Sequence, residues 1–70
     1  MSSEPTRNLV FRFWQLSSSE RREIAQRLDL IDEGDLRLPE PERYWRALLR
    51  AGERGLIDRL AGEIERMEKP

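Results

Sequence analysis

Glu40–Leu60, EPERYWRALLRAGERGLIDRL, is the stretch on which the reading of the fold turns. Pro41 stands just inside a helix start, where its missing N–H costs nothing. At about 100° per residue, Tyr44, Trp45, Leu48, Leu49 and Gly52 fall on one face, and Arg43, Arg46, Arg50 and Arg54 gather opposite them. Gly55 can take the left-handed backbone that ends many helices, and Leu56 opens a second apolar face. The spacing predicts a helix from about Pro41 to Arg54. It is expected to bury both aromatics, Tyr44 and Trp45, and to turn an arginine stripe outward.

Working outward, the preceding segments also read as helices. Arg7–Leu16 (RNLVFRFWQL) is the most apolar part of the chain, and Leu9, Phe13 and Leu16 share a face. Its apolar arc exceeds half the circumference, which suits a central helix contacted on several sides. Phe11 and Trp14 are expected in the core, the alternative being an exposed docking patch. Ser17 with Glu20 three residues later forms a capping-box pattern. The helix that follows points Ile24, Ala25 and Leu28 inward and leaves Arg21, Arg22 and Glu23 largely in water. Asp29-Leu30-Ile31-Asp32-Glu33-Gly34-Asp35 is an acidic turn. Leu30 and Ile31 break the alternation of oxygen ligands that a calcium loop needs, so a solvated turn or an acidic contact surface is the reading. Leu36 and Leu38 are expected to close the bottom of the core, in a short helical turn. After Gly55 a last helix carries Leu56, Ile57, Leu60, Ala61, Ile64 and Met67 on one side, with Gly62 as a candidate for close helix approach. Residues 1–6 read as a polar lead-in and 7–68 as one all-α domain. The connections are short, so the expected fold is a compact antiparallel bundle of four to six helices.

Composition narrows the function. The 70 residues contain no cysteine and no histidine, so thiol chemistry, thiolate metal sites and the commonest general base near neutrality are missing. The polar start, Met1-Ser2-Ser3-Glu4-Pro5, does not read as a signal peptide, and no apolar run approaches the roughly 20 residues of a membrane span. A small unstapled domain of this kind is expected in the cytoplasm. Net charge is −1, yet 39% of residues are charged, so any nucleic-acid role would need charge segregated on the surface. The glycines fit neither a phosphate loop nor a dinucleotide fingerprint, and Ser17–Ser19 is explained by capping. No catalytic residue, metal ligand or cofactor site is assigned.

The arginine stripe asks for an explanation, because like charges at i, i+4 and i+8 repel. Solvation answers the energetics. The sharper reading is that Arg43, Arg46, Arg50 and Arg54 meet a carboxylate surface, Asp29, Asp32, Glu33 and Asp35, on another copy. Separate acidic and basic faces on a near-neutral molecule favour head-to-tail association.

Two longer stretches, FRFWQLSSSERREIAQRLDLID (11–32) and LPEPERYWRALLRAGERGLIDRLAGEIE (38–65), resemble the GTPase-associated adaptor and effector-associated domains of the bacterial death-like group. The likeness rests on the aromatic first helix with Phe13 and Trp14, the capped second helix, the acidic turn and the Arg50–Leu60 helix junction. It implies a death-fold-like module without enzymatic activity. Such a module joins matching domains on a sensor and an effector in bacterial defence or programmed cell death. Charged helix faces carry the contacts in that family. Here the resemblance points to Arg21, Arg22, Arg43, Arg46 and Arg50 on the basic side and Asp29, Asp32, Glu33 and Asp35 on the acidic side. Partners are then other death-like protein domains, not a membrane or nucleic acid. The alternatives are a small nucleic-acid-binding domain using the Arg43/Arg46/Arg50/Arg54 stripe, or a simple dimerisation bundle using a greasy face.

Overall fold

The computed structural model of the chain describes the backbone of residues 3–69 and the side chains of residues 8–69. It comprises α1 (Ser3–Gln15), α2 (Ser18–Arg27), a 3-10 turn (Asp35–Arg37), α3 (Glu40–Glu53) and α4 (Ile57–Glu68), with no strand among the described residues. The all-α bundle is therefore present at the lower end of the expected helix count. Residues 3–6 of the expected lead-in form the first turn of α1, where Pro5 is tolerated because first-turn N–H groups have no helical partner. Met1 and Ser2 lie outside the described residues.

The helix ends show why the breaks fall where they do. At the start of α2 the Ser17 hydroxyl accepts from the Glu20 N–H (3.2 Å), and the Glu20 carboxylate accepts from the Ser17 N–H (3.0 Å). This is the predicted reciprocal box. Helix α3 ends at Gly55, which adopts φ +69°. The Leu56 N–H then reaches the Ala51 carbonyl at 2.8 Å. Helix α2 ends the same way without a glycine. Asp29 takes φ +55°, and the Leu30 N–H reaches the Ala25 carbonyl at 2.8 Å. Aspartate is one of the few residues with a side chain that enter this region readily. In each case the apolar residue after the reversal, Leu30 or Leu56, turns back toward the helix it has just left.

Leu9 and Phe13 of α1 with Leu16 just past its end, Ile24 and Ala25 of α2 with Leu28 at its C-cap, Tyr44, Ala47, Leu48 and Ala51 of α3, and Leu60 and Ile64 of α4 form one buried cluster with Leu30. Phe13 and Tyr44 meet edge-on with ring centres 6.0 Å apart. Ion pairs fasten the outside. Arg12 of α1 forks onto Glu68 of α4 (3.1 and 2.6 Å). Glu63 of α4 takes both Arg27 of α2 (3.0 Å) and Arg66 (2.9 Å). The extents, 34 × 29 × 18 Å, correspond to two layers of helices.

Four expectations about packing need correction. Trp45 is 50% exposed and Leu49 66%, because the buried stripe of α3 runs through Tyr44, Ala47, Leu48 and Ala51 and the other two lie on its flank. Phe11 is 64% exposed, while Trp14 is half-buried. Leu36 projects outward from the 3-10 turn, whose inward-facing residue is Asp35, and Leu38 is half-buried. Gly62 is exposed, and a side chain there would meet open space, so no close helix contact explains it.

Candidate interaction surfaces

Most of the arginines predicted to face outward are tied to their own chain. Arg50 donates to the Leu30 carbonyl at 2.9 Å and reaches Asp32 at 3.5 Å. Its principal partner is Asp35, which it grips through both carboxylate oxygens. Asp35 is only 3% exposed, and the Arg50 guanidinium holds its carboxyl below the usual carboxylate range. Asp32 and Asp35 also cap one another, each carboxylate accepting the other's backbone N–H at 3.1 Å. Arg43 donates to the Leu36 and Leu38 carbonyls (3.3 and 3.2 Å), and Arg54 to the Asp29 carbonyl (2.6 Å). The acidic turn and the basic flank of α3 thus meet within one molecule.

Arg21 departs furthest from expectation. Its guanidinium carbon lies 5.2 Å from the centre of the Trp14 ring and 5.3 Å from that of Tyr44. One nitrogen donates to the Trp14 and Leu16 carbonyls where α1 runs out, the favourable end of a helix for a cation. The other reaches Ser18 (3.3 Å) and Glu40 (3.1 Å). The Ser18 hydroxyl also donates to Glu40, and with Arg21 it draws the Glu40 carboxyl below its ordinary range. Arg21 therefore joins α1, α2 and α3 instead of standing in water.

Of the predicted contact residues, Arg22, Arg46, Asp29 and Glu33 are exposed, and their side chains make no hydrogen bond or ion pair among the described residues. Arg22 and Glu33 flank a cleft of about 540 Å³ between α2 and the acidic turn, with Ile31 and Leu36 among its walls. Arg46 stands apart from it on α3, beside Leu49 and Glu53. A second cleft, about 460 Å³, lies between α1, α3 and α4 and is lined by Val10, Trp45, Leu49, Gly52 and Ile57 over Leu48 and Leu60. Trp14 and Trp45 meet beside it with ring centres 5.3 Å apart. Reading Trp45 and Leu49 as core hid this surface. The signal that could have found it is the Ala47/Ala51 pair, which marks the closely packed side of α3.

Residues 5–66 match the family model for the GTPase-associated adaptor domain. The chain belongs to this family. No curated protein and no solved structure matches it. As an adaptor domain it works through protein surfaces, and the charged cleft and the apolar cleft are among those that its described residues offer. No helix among the described residues of this adaptor domain is long and apolar enough to cross a membrane.

Proposed function

We propose that this adaptor domain is a non-enzymatic cytoplasmic module that recruits an effector to a sensor by homotypic, death-fold-type association in a bacterial defence or programmed-cell-death pathway. The match to the GTPase-associated adaptor domain over residues 5–66 carries the reading. The distribution of charge supports it. Among the described residues Arg22 and Arg46 are exposed cations with no bond inside the chain, and Asp29 and Glu33 are the corresponding anions. Arg21, Arg43, Arg50, Arg54, Asp32 and Asp35 bond within the chain and hold the backbone that presents them. Contacts between unlike faces are heterologous and extend from copy to copy.

The test is mass against concentration by light scattering at about 50 and 500 mM salt, because exposed ion pairs weaken as the Debye length shrinks. Growth into large species at low salt, reversed at high salt and lost in Arg22→Glu, supports the reading. A chain that never grows, and that binds no death-like domain taken from an effector, refutes it. With three of the four stripe arginines bonded to their own carbonyls, little of the stripe remains to track phosphates. A steep log–log salt slope with added oligonucleotide would reverse that judgement.

A further inference from the structure

We infer that the exposed ridge of α3 is a second self-association surface, on which two copies pair antiparallel about Leu49. The inference rests on the homotypic reading above but uses a different surface, with Arg46 the one charged residue in common, and a different symmetry.

Leu49, Trp45 and Phe11 are the three most exposed large apolar residues on the α1/α3 side of the molecule. Leu49 and Trp45 both line the apolar cleft, and Phe11 lies one helical turn before Trp14, whose ring meets Trp45. At roughly 200 Å² for a whole large side chain, their exposed parts come to about 350 Å² of apolar surface. That is the size at which an apolar patch on a monomer is often functional.

The order of residues along α3 says what covers it. At about 100° per residue, Arg46 and Glu53 lie to one side of Leu49, and Trp45 and Gly52 to the other. Arg46 precedes Leu49 by three positions and Glu53 follows it by four; Trp45 precedes it by four and Gly52 follows by three. A two-fold axis at Leu49, relating antiparallel copies of α3, keeps each side on its own side and exchanges before for after. Arg46 then faces the second copy's Glu53, and Trp45 faces the second copy's Gly52. Both contacts occur twice, as an isologous interface requires. Each suits the single copy. Arg46 and Glu53 have no hydrogen bond or ion pair among the described residues. A side chain at Gly52 would meet nothing within 4 Å, leaving room for an indole ring. A parallel two-fold pairing would exchange the two sides and set Arg46 against the second copy's Trp45 and Glu53 against its Gly52, so of the two only the antiparallel arrangement brings the unlike charges together.

Two such patches with their charged rims fall short of the roughly 1,200 Å² of a standard stable interface. The pairing is therefore reversible and depends on concentration. Its apolar centre makes it less sensitive to salt than contacts between charged faces.

The decisive experiment is sedimentation equilibrium of the whole chain from about 10 µM to 1 mM at about 500 mM salt. Wild type is expected to pass from monomer to dimer. Leu49→Glu stays monomeric with an unchanged melt, since Leu49 is an exposed residue. Arg46→Glu and Glu53→Arg each weaken the dimer at least tenfold at lower salt. Mixed in equal amounts, these two single variants pair with one another, because both charge contacts are restored across the axis. Wild type that remains monomeric throughout, Leu49→Glu that dimerises like wild type, or a mixture no tighter than its components would each overturn the inference. Arg22→Glu lies off this ridge. Its loss of large species with the dimer intact separates failure of the head-to-tail contact from failure of this one.

Discussion

Replacing Arg50 by Met should destabilise the domain more than any other single change of an α3 arginine. The substitution keeps the aliphatic stem but leaves the Asp35 carboxylate, 3% exposed, without its counter-charge, and frees the Leu30 carbonyl. Breaking a fully buried pair from one side costs about 3–5 kcal/mol. Two facts lower this value. The Arg50 side chain is 22% exposed, and Asp35 keeps its bond from the Asp32 N–H. A cost of about 2–3 kcal/mol follows, against a whole-domain stability on the order of 4–10 kcal/mol. For a chain this size that is a drop in Tm of roughly 10–20 °C. Circular dichroism melts and urea titrations at pH 7 measure it. Arg46→Met is the control: same helix, same chemistry, no partner among the described residues, and an expected change within about 0.5 kcal/mol. Arg50→Met with Asp35→Leu should recover at least half of the loss, because no buried charge is then left unpaired. If Arg50→Met melts like Arg46→Met, or the two costs simply add, the pair does not hold the turn to α3 and the reasoning fails.

The same pair sets the response to acid. Asp35 is held below its ordinary range by Arg50, so its contribution is complete above the unfolded carboxylate value near 4 and is lost as pH falls through its lower folded value. Stability should therefore fall steeply below about pH 4, and Asp35→Asn, less stable at pH 7, should show a shallower acid limb in urea titrations at successive pH values. Arg21→Ala should cost about 2–3 kcal/mol by removing a cation stacked on two rings and bonded to two carbonyls, with Arg21→Lys recovering less than half; equal melts for Lys and Arg would contradict a fork-shaped requirement. Tyr44→Ala should cost about 3–5 kcal/mol and leave little folded protein at 37 °C, whereas Trp45→Ala should cost about 1–2 kcal/mol. Reversal of that order would restore Trp45 to the core. Gly55→Ala, at φ +69°, should cost about 1–2 kcal/mol, whereas Gly62→Ala should be neutral or stabilising.

The local signals in the sequence translated directly into structure where one residue type meets one backbone need. Ser17 with Glu20 and Gly55 are such cases, and the helices formed around them. What the sequence concealed was angular. Tyr44, Trp45, Leu48, Leu49 and Gly52 read as one face, although they span well over a quarter of the helix circumference. The neighbouring helices cover only the half of that arc centred near Tyr44, Leu48 and Ala51. The arginines divide in the same way. Arg43, Arg50 and Arg54 lie on the flank that meets the acidic turn, whereas Arg46 lies a little further round and has no side-chain partner among the described residues. A charge pattern that reads as complementary between molecules reads equally well within one, and only the path of residues 28–39 distinguishes the two. Asp29 hid for a related reason: an aspartate in an acidic run does not announce that it will serve as the left-handed stop of α2.

The choice of arginine for these inward bonds reaches beyond their geometry. Four guanidinium groups, from Arg21, Arg43, Arg50 and Arg54, fasten the chain by donating to backbone carbonyls where helices and turns run out. A guanidinium keeps its proton far into alkali, where an ammonium loses its own. With no histidine or cysteine in the chain, no side chain is expected to change charge between about pH 6 and 9. The molecule is therefore built unevenly with respect to protons: it loosens from the acid side, where Asp35 is neutralised, and stays fastened through mild alkali. Bicarbonate-buffered and moderately basic solutions should leave its shape alone, and any response to alkalinity would have to come from whatever it binds.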